Sequence, residues 1–114
     1  YSEFAEYIAS GKMKPVGVTS AERLSSLDVP TLKEQGIDVE IGNWRGVYGA
    51  PGISKQQRDE LIAKLEKATK SAAWQEALKK NDWTPAWLAG DAFATFVDKE
   101  FSSLQDTMAR AGMV

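Results

Sequence analysis

The chain has 114 residues, 43% of them hydrophobic and 26% charged, with no cysteine and no histidine. That length suits one domain. The missing residue types exclude disulfide frameworks, zinc fingers, Cys/His nucleophile pairs and a Ser-His-Asp triad. A net charge of -2 gives no basic footprint for nucleic acid, and no apolar run reaches the ~20 residues needed to span a bilayer. A metal site would have to be built of oxygen ligands alone, and the acids show no EF-hand spacing; neither a metal nor a cofactor is expected. Tyr1 is not an initiator methionine, and residues 1–10 lack the basic and apolar regions of a signal peptide. A mature form, a trimmed form or a fragment is therefore expected.

In chain order, Phe4, Ala5 and Ile8 place a short helix over residues 2–10, with Gly11 as its C-terminal stop. Residues 13–19 form a strand candidate in which Val16 and Val18 alternate, weakened by Pro15 and Gly17. Residues 20–29 read as a loop or one irregular helical turn. Thr31 and Glu34 match a capping box, and Gly36 leaves room for little more than one helical turn. A second extended stretch, 39–49, has bulky residues at Trp44, Val47 and Tyr48 and is interrupted by Gly42, Gly46 and Gly49.

The remainder reads as helical. Ser54 and Gln57 form a capping box before an apolar stripe of Leu61, Ile62, Leu65 and Ala68. A helix over 71–80 should bury Trp74 and Leu78, and 83–88 is a short extended piece. Asp91 is expected to cap the longest helix, in which Phe93, Phe96, Val97, Phe101, Leu104 and Met108 follow helical spacing, and Gly112 should end it. The two strand candidates are separated by about twenty residues with a helical turn between them, as a parallel crossover requires. A parallel pair normally belongs to a larger sheet, so the scarcity of strands beside several packed helices points to an α/β piece of something larger.

Little of this pattern carries chemistry. Glu3 with Glu6 and Asp38 with Glu40 are close acid pairs in polar stretches, and charged residues are mostly solvated. The glycines of GNWRGVYGAPG fit neither phosphate-loop pattern. Trp44 beside Arg45 fits either a cleft wall or ordinary packing. Arg45 is either a bidentate carboxylate clamp or a surface residue. Thr19 and Ser20 end the first strand candidate. That is where ligands gather in open α/β sheets, and also where hydroxyl residues serve as turn formers.

Several segments align in order with one family. GKMKPVGVTS (11–20), DVPTLKEQG (28–36), WRGVYGAPG (44–52) and the helical stretches 60–78 and 90–112 resemble the C-terminal portion of tripartite tricarboxylate transporter substrate-binding proteins, the Bug or TctC-like family. DVPTLKEQG with WRGVYGAPG at this spacing is the most specific part. Departures include GVTS where the family has AVTS and GDAF where TPEEF is usual. The resemblance implies part of a bilobal, type II periplasmic-binding-protein-like fold, with residues 1–114 as a single C-terminal segment and the N-terminal half absent. It implies a periplasmic, non-enzymatic receptor for di- and tricarboxylates or related acids, delivering them to membrane permease subunits. The candidates toward the ligand are Thr19, Ser20 and Trp44, with Arg45 at the rim. The competing reading is a stand-alone helical interaction module whose exposed apolar face pairs with itself or with a partner; an enzyme is disfavoured by the residues that are missing.

Overall fold

A computed structural model describes residues 1–114. Four helices form, α1 (Ala5–Ala9), α2 (Lys55–Thr69), α3 (Ala72–Asn81) and α4 (Gly90–Arg110). The chain divides into two compact units, residues 1–47 with 76–84 and residues 48–75 with 85–114.

In the first unit, α1 ends as its sequence requires. Gly11 is left-handed (φ 72°), so its N–H reaches Ile8 O at 3.1 Å while Lys12 N–H reaches Tyr7 O at 2.9 Å. This 5→2, 6→1 pair satisfies carbonyls that the helix end would otherwise leave open.

The strand expected over 13–19 does not form. Its only ladder feature is a parallel bridge between Val18 and Thr31, in which Val18 N–H donates to Pro30 O at 3.1 Å and accepts Leu32 N–H on its own carbonyl at 2.9 Å. The physical reason lies in the flanking residues. Pro15 has no N–H to donate, and the Val16 carbonyl is taken by the Gln35 side-chain amide at 3.0 Å. The 39–49 stretch likewise makes no strand. It meets residue 19 at one point, where Ile41 N–H donates to Thr19 O at 2.9 Å. Because alternate residues present their polar groups to opposite edges, 18–19 sit between 30–32 on one side and Ile41 on the other. The expected neighbours are thus adjacent, but the α/β character stops at this nucleus.

The capping box at Thr31 is present in both halves. Glu34 N–H donates to Thr31 Oγ1 at 3.1 Å, and Thr31 N–H donates to Glu34 Oε2 at 2.8 Å. It closes a hydrogen-bonded turn rather than the expected helix, because Gly36 (φ 84°) reverses the chain after five residues. Thr31 is 2% exposed, and Val29 and Leu78 are the buried apolar residues of this unit.

In the second unit, α2 starts at the predicted box. Gln57 N–H donates to Ser54 Oγ at 3.1 Å and Ser54 N–H to Gln57 Oε1 at 2.9 Å. Two expectations need correction here. Asp91 is not the cap of α4: Ala89 holds that position without a side-chain bond, and Asp91 lies in the first helical turn. There its carboxylate takes Arg58 Nη2 at 2.7 Å, a favourable place for negative charge because helix N-termini are electropositive. Gly90 permits the approach, since a Cβ there would stand 3.3 Å from that guanidinium nitrogen. Trp74 is not buried but 40% exposed, although Leu78, one turn on, is 7% exposed as expected. The end of α4 matches expectation: Gly112 N–H donates to Ala109 O and Met113 N–H to Met108 O. Phe93 and Phe96 are half-buried, with Phe93 5.6 Å from the Tyr48 ring. Further along the same helix Phe101 and Leu104 stand exposed.

Two outcomes follow. At Gly17 a Cβ would stand 2.8 Å from Gln35 Nε2 and 3.0 Å from Leu32 Cδ2, so Gly17→Ala should push the Gln35 amide off Val16 O and destabilise by about 1 kcal/mol in urea titration. The Glu34 carboxyl is held below its ordinary value, first by the Arg23 guanidinium and then by Thr31 N–H. A depressed carboxyl contributes stability that is full above its unfolded pKa and lost as pH falls through the folded one. The urea midpoint should therefore drop as pH is lowered from the ordinary glutamate value. Glu34→Gln should lower the midpoint at neutral pH and flatten the acid dependence, leaving the part due to Asp91, which Arg58 depresses in the same sense.

Candidate functional site

The loop that follows Val18 carries two of the four sequence candidates. Thr19 Oγ1 donates to Ile41 O at 2.9 Å, and Ser20 Oγ donates to Glu22 O at 2.6 Å. A hydroxyl has one proton, and in both residues it is directed at a main-chain carbonyl. In this arrangement neither hydroxyl donates to an anion. Both keep lone pairs able to accept from a ligand hydroxyl, a protonated acid or water. Donors for a carboxylate would then come from main-chain N–H groups of the loop, a mode that needs no basic side chain.

Trp44 is half-buried three residues beyond Ile41. Arg45 is drawn elsewhere: its guanidinium lies over the Trp83 ring, 4.5 Å from the centroid. Trp83 is 41% exposed, and nothing local in the sequence links it to a residue 38 positions earlier. The structure therefore brings Thr19 and Ser20 into one hydrogen-bonded loop end and places Arg45 on an aromatic face.

The loop is tied down by Arg23, Asp28, Ser26 and Asp82, which no local pattern marks, together with Glu34 of the capping box. Arg23 Nε faces both Glu34 oxygens at 3.1 and 3.0 Å, and Nη1 takes Asp28 Oδ1 at 2.9 Å. Ser26 Oγ donates to Asp82 Oδ2. Asp82 is the one non-glycine residue with positive φ, 56°, and it ends α3 as Gly11 ends α1: its N–H reaches Lys79 O, and Trp83 N–H reaches Leu78 O. Glu34 of the capping box is the one local feature that marks this anchor, because its carboxylate is an acceptor that a guanidinium can take.

Other places offer less. A shallow open depression on α2, lined by Lys55, Gln56, Asp59, Glu60 and Ala63, holds none of the candidates, and Lys55 and Asp59 within it are paired with each other. No cluster of acidic side chains could hold a metal ion, and no helix is long and apolar enough to cross a membrane. Arg45→Ala should cost about 0.5–1 kcal/mol, the usual value of an exposed cation–π contact. It should also change the tryptophan emission, whereas Arg45→Lys should retain part of both signals.

Residues 2–113 match the family model described as tripartite tricarboxylate transporter family receptor, TctC. No curated protein and no solved structure matches the chain. Members of that family are periplasmic receptors that bind small organic acids and work with membrane subunits of the transporter, and the family implies a periplasmic-binding-protein-like fold. The match runs over all but the terminal residues, and the chain belongs to the tripartite tricarboxylate transporter receptor family.

Proposed function

We propose that this chain is the C-terminal segment of a periplasmic receptor that binds di- or tricarboxylates, or related organic acids, for delivery to a membrane permease. The observation that carries the reading is the family match over residues 2–113. The loop at 19–23 supports it by its chemistry. It lacks a nucleophile, a general base pair and a metal cluster, and its hydroxyl protons are already bonded to carbonyls, leaving acceptors and main-chain donors for an acid. A receptor requires reversible capture rather than turnover, and closure of two lobes on a ligand achieves this by shifting a conformational equilibrium.

On this reading Thr19, Ser20 and Trp44 stand toward the acid, and Arg45 contributes at the rim by holding Trp83. The greater share of the ligand contacts belongs to the other half of the receptor.

The test is thermal unfolding of the intact receptor that carries this sequence, in the presence of mono-, di- and tricarboxylates and acidic amino acids. At a hundredfold excess over Kd a bound ligand stabilises by about 2.7 kcal/mol, enough to raise Tm by several degrees. At least one acid should do so, while the 114-residue chain alone should shift little or not at all. Failure of every acid on the intact receptor removes the carboxylate reading, and a clear shift with the chain alone removes the division of the site between two halves.

A further inference from the structure

We infer that Arg23 is a positioning residue: through Glu34 it holds the loop 19–23, and with it the acid-facing groups of the receptor, in a fixed conformation. The inference rests on the carboxylate reading above for its ligand and on the geometry for the clamp.

Val18 is fixed to Thr31 by a parallel bridge, and Thr31 is fixed to Glu34 by reciprocal hydrogen bonds. Arg23, five residues beyond Val18, returns the chain to the same Glu34. Nε bridges both carboxylate oxygens, and Nη2 lies 3.0 Å from Oε1. The result is a closed ring running from Val18 through the loop to Arg23, across to Glu34, and back through Thr31. Nη1 also takes Asp28 at 2.9 Å, which gathers the far limb of the loop to the same point. Inside this ring Ser20 bonds to Glu22, and residues 19–23 form no helix or strand that would order their N–H groups independently. Side-chain anchors are thus what sets their direction, and groups ordered in advance of binding lose less entropy when a ligand arrives.

The charge count separates positioning from direct contact. One guanidinium faces two carboxylates, Glu34 and Asp28, so the cluster is net negative and offers an incoming acid no countercharge. A planar fork is also the group that grips a carboxylate on two atoms, which the lysine ammonium cannot do. Arg23 therefore acts on the ligand through the loop.

The experiment compares R23Q, R23K, E34Q and the double variant R23Q/E34Q. Amide hydrogen exchange and citrate and succinate affinities are both followed in the intact receptor that carries this sequence. R23Q should raise exchange over 19–24 by about tenfold, within the range of coupled networks, while α2 and α4 exchange as in the wild type and so report that the protein remains folded. R23K should be intermediate. Where an acid binds, E34Q should weaken it about as much as R23Q, and the double variant no more than either single change, because both remove the same clamp. Unchanged exchange over 19–24 in R23Q and R23K overturns the inference, as does loss of affinity in R23Q with none in E34Q, which would make Arg23 a direct contact. If the wild type binds none of the mono-, di- and tricarboxylates or acidic amino acids while R23Q still loosens the loop, the carboxylate reading falls and the clamp stands.

Discussion

The reciprocal bonding of Thr31 with Glu34 is the constraint around which the first unit is organised. Thr31 is 2% exposed, so its N–H and hydroxyl are largely removed from water and must find partners within the chain. Glu34 supplies both, accepting from the N–H and donating its own N–H to the hydroxyl. Once that turn is fixed, Val18 bridges to it on one side, Gln35 reaches Val16 O and Thr31 O, and Arg23 joins from the loop. Gly17 fits because a Cβ there would stand 2.8 Å from the Gln35 amide nitrogen. This gives a physical basis for glycine at a position where the family pattern has alanine.

Around this turn the chemistry is that of an organised loop. Exposed ion pairs contribute little individually, because water screens them. Here Arg23, Glu34 and Asp28 share one guanidinium, and their effect is geometric: they set where a backbone segment lies. The same holds for Arg45, which meets an aromatic face rather than a carboxylate. A receptor site built from main-chain donors and oriented hydroxyls needs this kind of support, since its polar groups have no regular structure to align them.

The residue patterns that were legible share one property, in that each joins groups within a few positions of one another. Ser54 with Gln57, Thr31 with Glu34, and the glycine stops at Gly11 and Gly112 are local, and all four are present in the structure. Expectations missed where something beyond the local pattern decided the outcome. Asp91 has the right residue type for a cap, but Arg58, 33 positions earlier, draws it into the first turn of α4. Trp74 lies on an apolar helical stripe and still stands 40% exposed, because periodicity marks a face without saying whether anything covers it. The strand candidates 13–19 and 39–49 have suitable side chains, yet ladders need continuous partners, and Pro15 together with the capture of Val16 O by Gln35 leaves a single bridge.

By itself, the sequence determined the family, the absence of cysteine and histidine chemistry, the helical second half, the cap at Ser54 and the stop at Gly112. These follow from residue identity and short-range hydrogen bonding, which do not depend on the rest of the fold. Tertiary structure alone decided that the protons of Thr19 and Ser20 point at Ile41 O and Glu22 O, that Arg45 lies over Trp83, and that Arg23 closes the loop on Glu34. Each of these joins groups through the direction of a bond in space, and composition and periodicity carry no record of direction.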